Sequence, residues 1–269
     1  MNPFDQIAAW PTLAVSAAVV SPRGVIARHG DQDRPYALAS VTKLLTATAM
    51  LVAIQEETVG LDEPAGPPAS TVRHLLAHAS GLATDGSTVL AKPGTRRIYS
   101  NAGFEILGDH LAARAGMSFS EYLLEGVLEP LAMRATRLAG SPAHSGVSTV
   151  ADLVRFAIEL LRPTLLDEGI LDLATNPVYR RLEGVLPGFG PQSPNSWGLG
   201  FEIRDDKHPH WTGSLNSPGT YGHFGRAGTF LWVDPRVELA CICLTDREFG
   251  PWATRAWPAL SDAVLNDLG

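Results

Sequence analysis

The sequence predicts an α+β fold, an α/β sandwich in which an antiparallel sheet is flanked by helices and carries an inserted all-helical subdomain. Three observations predict it. Strand-like runs lie at both ends of the chain, helical periodicity dominates the middle, and Pro/Gly-rich breaks separate the two kinds of segment. Residues 1–60 and 190–269 are therefore assigned to one α/β subdomain built from both termini, and residues 61–189 to the helical one. The cleft between them is the expected site.

The elements follow in order. "TLAVSAAVV" (Thr12 to Val20) and "GVIARHG" (Gly24 to Gly30) read as a hairpin joined by Ser21-Pro22-Arg23. A long apolar helix runs from about Ser40 to Glu56, and the break "LDEPAGPPAS" ends that region. From Val72 to about Leu186, "NAGFEILGDHLAARAG", "SFSEYLLEGVLEPL" and "STVADLVRFAIELL" place apolar residues three and four apart. A second break, "LPGFGPQSPNS", closes this stretch. Strand signals return in "WGLGFEIRD", "TYGHFG", "GTFLWVDP" and "VELACICLT", the last two joined at Asp234-Pro235-Arg236. A helix from about Trp252 to Leu268 ends the chain.

Composition narrows the function. The 269 residues are 45% hydrophobic and 18% charged, an ordinary globular balance, with a net charge of -7. That charge argues against nucleic acid or an anionic membrane as partner, and Arg96-Arg97 and Arg180-Arg181 are the densest basic pairs. "MNPFDQIAAW" has an acid, no Lys or Arg, and no apolar core behind it, so no secretory signal is expected and a cytoplasmic location is. Leu13 to Val20 is too short to span a bilayer. Cys241 and Cys243 lie two apart and face the same side of a strand, a poor geometry for bridging each other. Buried thiols in a reducing compartment are the expectation, with no metal site and no cofactor.

One residue resists a structural explanation. "ALASVTKLLTATAMLVAI" is an apolar helix with a single charge, Lys43, near its start. Burying an ammonium is unfavourable unless it is paired or loses its proton, and the helix N-terminus disfavours a cation. Ser40 lies three residues earlier, on the same helical face. Ser40 could simply cap the helix, but Lys43 would then occupy the place where a capping box wants Glu or Gln. As a nucleophile, Ser40 would have beside it a desolvated lysine able to accept its proton.

Two further motifs sit downstream. "RIYSNAGF" holds Tyr99 and Asn101 in a Y-x-N just before a helix, where Asn101 could also be a cap. "TYGHFGRAGTFLWVD" holds His223 and Gly225 in an H-x-G at a strand. A second H-x-G, His144-Ser145-Gly146, begins a helix instead and is set aside.

Taken in order, Ser40-Val41-Thr42-Lys43, Tyr99-Ser100-Asn101 and His223-Phe224-Gly225 resemble the three elements of the serine β-lactamase and penicillin-binding-protein superfamily. The flanks "VRHLLAHASGL", "PGTRRIYSNAGFEILG", "PLAMRAT", "STVADLVRFA", "WGLGFEI" and "GHFGRAG" resemble the branch holding class C β-lactamases, D-alanyl carboxypeptidases and related esterases. The likeness runs from about Leu13 to Thr245 and implies a β-lactamase/transpeptidase-like fold. It further implies that Ser40 forms an acyl-enzyme, Lys43 keeps it deprotonated, and Tyr99 relays the proton as base and then as acid. Asn101 would hold Lys43 and bind the acyl side of the substrate, and His223 would line the far wall. Gly225 would let the substrate backbone approach the strand, and the backbone N–H groups of Ser40 and Arg226 would form the oxyanion hole. His78, in "LLAHASGL", is expected to brace the helical part.

Departures from the family pattern bear on substrate. Phe224 stands where a hydroxyl residue usually helps hold a carboxylate, and should make the cleft wall apolar. His223 in place of Lys removes a permanent charge, which Arg226 could restore. The expected activity is an esterase or amidase acting on a small ester, amide or lactam. A β-lactamase or D-Ala-D-Ala carboxypeptidase is the alternative, and a non-catalytic ligand-binding protein the alternative of another class.

Overall fold

The computed structural model describes residues 2–269. A 3-10 turn, Pro3–Ala9, precedes the hairpin of β1 (Val15–Ser21) and β2 (Gly24–His29). A short strand, β3 (Tyr36–Ala37), leads through a second 3-10 turn, Ala39–Val41, into α1 (Thr42–Gln55). The middle of the chain holds α2 (Val72–Leu76), α3 (Asn101–Ala115), α4 (Phe119–Leu123), β4 (Arg137–Leu138), β5 (Gly146–Ser148), α5 (Val150–Leu161) and α6 (Glu168–Thr175). A small hairpin, β6 (Gly184–Leu186) and β7 (Gly190–Gln192), comes next. Then β8 (Glu202–Ile203), β9 (Tyr221–Gly225), β10 (Thr229–Asp234), β11 (Leu239–Thr245) and α7 (Ala253–Leu268) complete the chain.

The main sheet is six-stranded and antiparallel, in the order β2-β1-β11-β10-β9-β8. Strands from the two termini thus pair directly, with Ala18 opposite Ile242 at the centre. Both faces of β10 and β11 are buried, which explains why they read as continuous apolar runs rather than alternating ones. Ala18, Leu231, Ile242 and Leu244 face α1 and the helical layers, whereas Ala17, Phe230, Trp232, Cys241 and Cys243 face α7. The two cysteines share a face, both buried and unbridged.

Within the stretch 61–189, α5 packs against β1, β10 and β11 of the main sheet. Its apolar stripe of Val150, Leu153, Phe156, Ala157 and Leu160 supplies the contact. β3, β5 and β4 form a separate three-stranded sheet with no counterpart in the sequence reading, because strands of two or three residues are too short to show alternation. α1 is buried on nearly every side, at the centre of the molecule. Among the described residues no helix is long and apolar enough to cross a membrane.

Two features of this frame position the site. Among the described residues β8 pairs only with Tyr221 and Gly222, so His223–Gly225 form an edge without a strand neighbour on that side. Ala39 adopts a left-handed backbone (φ 44°), a strained conformation for a residue with a Cβ. It turns the chain so that Ser40 enters α1 from a 3-10 turn, not from the α-helix itself as the sequence suggested.

Candidate active site

A cavity of about 650 Å³ lies between the His223–Arg226 edge and the loops 84–101 and 185–188. Ser40, Tyr99, Asn101, His223, Phe224 and Arg226 all border it. The structure therefore brings residues from three distant parts of the chain to one place.

The strained turn that carries Ser40 is held from the sheet. Thr229 donates its hydroxyl to the Leu38 carbonyl at 2.9 Å, and Leu38 N–H donates to Gly146 at 2.8 Å. Gly225 lies against the same carbonyl: a Cβ there would stand 2.3 Å from the Leu38 oxygen. Its glycine is thus required for packing the edge strand on the serine turn.

Ser40 does not cap α1; its hydroxyl meets two other side chains. Tyr99 donates its phenol to Ser40 Oγ at 2.7 Å, and Lys43 Nζ lies 3.4 Å from the same oxygen. Lys43 is wholly buried, with Nζ 2.7 Å from Asn101 Oδ1 and 2.8 Å from the Ala143 carbonyl. Burial pushes the Lys43 pKa down to about 7, against the opposing pull of Asp85 and Glu105. A neutral amine has two N–H donors and one lone pair. With both donors directed at Asn101 and Ala143, the lone pair is left for the Ser40 hydroxyl.

Tyr99 packs against the rings of His78, His223 and Trp197, with centroids 4.6, 5.7 and 6.0 Å away. That enclosure raises its pKa above the usual tyrosine range, outweighing the hydrogen bond with Ser40. In the resting site its hydroxyl is the donor to Ser40 Oγ. His78, itself at φ 52° and fully buried, accepts the Ser100 N–H on Nδ1 at 3.1 Å and stays neutral.

Asn101 is the first residue of α3, and Ser100 is the cap, accepting the Gly103 N–H at 3.0 Å. The Asn101 amide is thereby free to reach Lys43, while its Nδ2 donates to Asp85 Oδ1 at 3.0 Å. His223 donates from Nδ1 to the Phe224 carbonyl at 2.6 Å, which fixes its tautomer. Burial, assisted by Lys43, pushes its pKa down to about 3, so it presents a neutral wall.

Strand alternation sends Phe224 to the opposite face from His223. Its ring packs among Phe249, Phe189, Trp211 and Trp257, and the residue also borders the cavity. The expected apolar cleft wall is in large part the edge of this second core. Phe224→Thr should accordingly destabilise the fold by roughly 3 kcal/mol, as for other large-to-small core changes. A urea titration reads this as a lowered midpoint. Arg226 is exposed at the cavity mouth, as is Arg96.

Several contributors left no usable mark in the sequence. The Ala143 carbonyl belongs to the loop of the discarded His144 motif, and a backbone acceptor has no residue signature. Arg97, two residues before Tyr99, is buried and donates to the carbonyls of Ala77, Val178 and Asn195, tying together three loops around Tyr99. Burial pulls its pKa down to about 10. Glu202, at the cavity's inner end, is buried with Lys207, His210 and Trp211 around it. Between Glu202 and His210 the chain reads EIRDDKHPH, so crowded with charged residues that the buried cluster does not stand out from a solvated loop.

A family model described as Beta-lactamase matches residues 11–265. The crystal structure of a beta-lactamase from Mycobacterium bovis superposes with a TM-score of 0.97 at 54% identity, covering 98% of each chain. At 17% identity the fold is also similar to that of EstCE1, a hydrolase with promiscuous acyltransferase activity (TM-score 0.81, 96% of this chain and 95% of that one). Among curated proteins, D-alanyl-D-alanine-carboxypeptidase/endopeptidase AmpH of Escherichia coli (strain K12) is 26% identical over 157 residues, 43% of this chain. The match spans 41% of the length of that relative. With a β-lactamase/transpeptidase-like fold and its three ordered motifs at one cavity, the chain belongs to the Beta-lactamase family of serine hydrolases.

Proposed function

We propose that this protein is an esterase or amidase that opens small acyl substrates through a covalent intermediate on Ser40. One observation carries the reading: Ser40 Oγ lies between a protonated Tyr99 at 2.7 Å and a Lys43 amine at 3.4 Å whose pKa is lowered to about 7. At neutral pH a large fraction of Lys43 is unprotonated and can take the Ser40 proton as Oγ attacks the substrate carbonyl. The backbone N–H groups of Ser40 and Arg226 would receive the oxyanion. Tyr99 then gives its proton to the leaving alkoxide or amine, and the Lys43 ammonium restores it. Water repeats the sequence on the acyl-enzyme, releasing the acid and freeing Ser40.

A neutral His223 and a Phe224 without a hydroxyl favour neutral esters over carboxylate-bearing substrates. The β-lactamase or D-alanyl carboxypeptidase reading is favoured by the Mycobacterium bovis structure and by AmpH. Faster turnover of a chromogenic cephalosporin than of short-chain p-nitrophenyl esters would reverse the order. The proposed compartment is the cytoplasm, which the free, buried Cys241 and Cys243 suit.

The testing experiment is intact mass after incubation with a fluorophosphonate, on wild type and Ser40→Ala together. One adduct on wild type and none on the variant is the expected result. A folded wild type that takes no adduct would refute an activated serine and favour the ligand-binding alternative.

A further inference from the structure

Two exposed aliphatic side chains border the Ser40 cavity: Leu90, 58% exposed, and Val185, 57% exposed. Hydrogen bonds fix the backbone at both. Leu90 N–H donates to the Gly81 carbonyl at 2.8 Å, and Gly184 pairs with Arg97, which brings Val185 and Ile98 to the same wall. A large aliphatic side chain held in water forgoes the burial that stabilises the rest of the fold, and two at one cavity mark a surface for an apolar ligand. The lining continues through Leu186, Pro187 and Phe249. Arg96 and Arg226, also at the mouth, are exposed and stay hydrated beside such a ligand.

Size and side narrow the ligand. At roughly 30 Å³ per carbon, about the share of one water, an octanoyl group fills about 240 Å³ and a butanoyl group about 120 Å³. The cavity of about 650 Å³ thus holds an octanoyl group together with an alcohol portion, whereas a butanoyl group leaves most of it to water against apolar walls. Leu90 shares its loop with Asp85, whose carboxylate accepts from the Asn101 amide at 3.0 Å, so it stands on the Asn101 side of Ser40. The leaving group has to reach the Tyr99 hydroxyl, and the Asn101 side is left to the acyl chain.

We propose that the substrates of this site are medium-chain acyl esters, with an unbranched acyl chain of about eight carbons held between Leu90 and Val185. This rests on the Ser40 hydrolase reading and deepens it by naming the acyl group. Each methylene taken fully out of water is worth up to about fourfold in kcat/KM.

The test compares kcat/KM for p-nitrophenyl octanoate and p-nitrophenyl butyrate, both kept below the concentration at which the octanoate aggregates. Wild type should favour the octanoate by about tenfold or more, a fraction of the full gain for four methylenes. The double variant Leu90→Ser/Val185→Ser changes only exposed side chains, so it should fold, and it should bring the ratio down to about one. Leu215→Ser, at an exposed leucine away from the cavity, should keep the wild-type ratio. A wild type that favours the butyrate would overturn the proposal, as would a double variant with an unchanged ratio or an equal fall in Leu215→Ser. Octyl acetate and butyl acetate form the second arm. A gain for octyl acetate that the double variant abolishes, without one for the octanoate, would place an alcohol chain there and overturn the acyl assignment. Failure of wild type to hydrolyse any of the four esters would instead overturn the hydrolase reading, and the proposal with it.

Discussion

Lys43→Ala should reduce ester turnover by roughly a thousandfold or more while the protein remains folded. The loss follows from geometry, because no other described side-chain nitrogen is hydrogen-bonded to Ser40 Oγ. Alanine favours the helix, but it leaves Asn101 Oδ1 and the Ala143 carbonyl without their partner, so the helix should persist with altered stability. Turnover of p-nitrophenyl butyrate beside a circular-dichroism melt separates the two effects. Retained activity in the folded variant would remove Lys43 from the mechanism. The wild-type pH profile carries the same information. The active form is the neutral amine, so kcat/KM should rise as pH increases through about 7. Stability should follow the same sign: the folded pKa lies below the ordinary 10.5, so the folded state binds fewer protons than the unfolded one between about 7 and 10.5. This group therefore makes the fold more stable as pH rises across that window, and its full penalty applies below it.

Glu202→Gln should destabilise the protein by about 3–5 kcal/mol, the range for breaking a buried ion pair from one side. In the native protein burial alone would raise the Glu202 pKa, but Lys207 and His210 outweigh it and hold the carboxyl well below the usual range. Lys207 is buried with no other carboxylate bonded to it among the described residues; its remaining partners are the carbonyls of Ser196 and Ile203, at 2.7 and 2.6 Å. Removing the Glu202 charge leaves the ammonium uncompensated in the interior, and the Trp211 indole loses a charged acceptor at 2.9 Å. For a chain of this size the melting temperature should fall by roughly 10 °C. A melt within 2 °C of wild type would contradict this assignment. The depressed Glu202 pKa also sets a direction for acid: its stabilisation is complete above the ordinary carboxylate pKa and is lost as pH falls through the folded value.

Local order carried much of the fold into the sequence. The β1–β2 hairpin, the β10–β11 turn, the long α1 and the terminal α7 each have a periodicity or a turn that acts over a few residues. Lys43 stood out because one charge in an apolar helix is a local anomaly, and the order of the three motifs supplied Ser40, Tyr99, Asn101 and His223. Tertiary packing decided the rest. Burial, which depends on every neighbour, brings Lys43 down to about 7 and keeps Tyr99 protonated. The face that Phe224 takes, the contact of Gly225 with Leu38 and the carbonyl of Ala143 beside Lys43 all arise where segments distant in sequence meet. The same holds for Asp85, an acid in an exposed loop 16 residues from Asn101. The sequence by itself determined which groups could react. Only the folded chain determined their protonation, their orientation and what stands opposite the substrate, because those depend on desolvation and on contacts that no local pattern encodes.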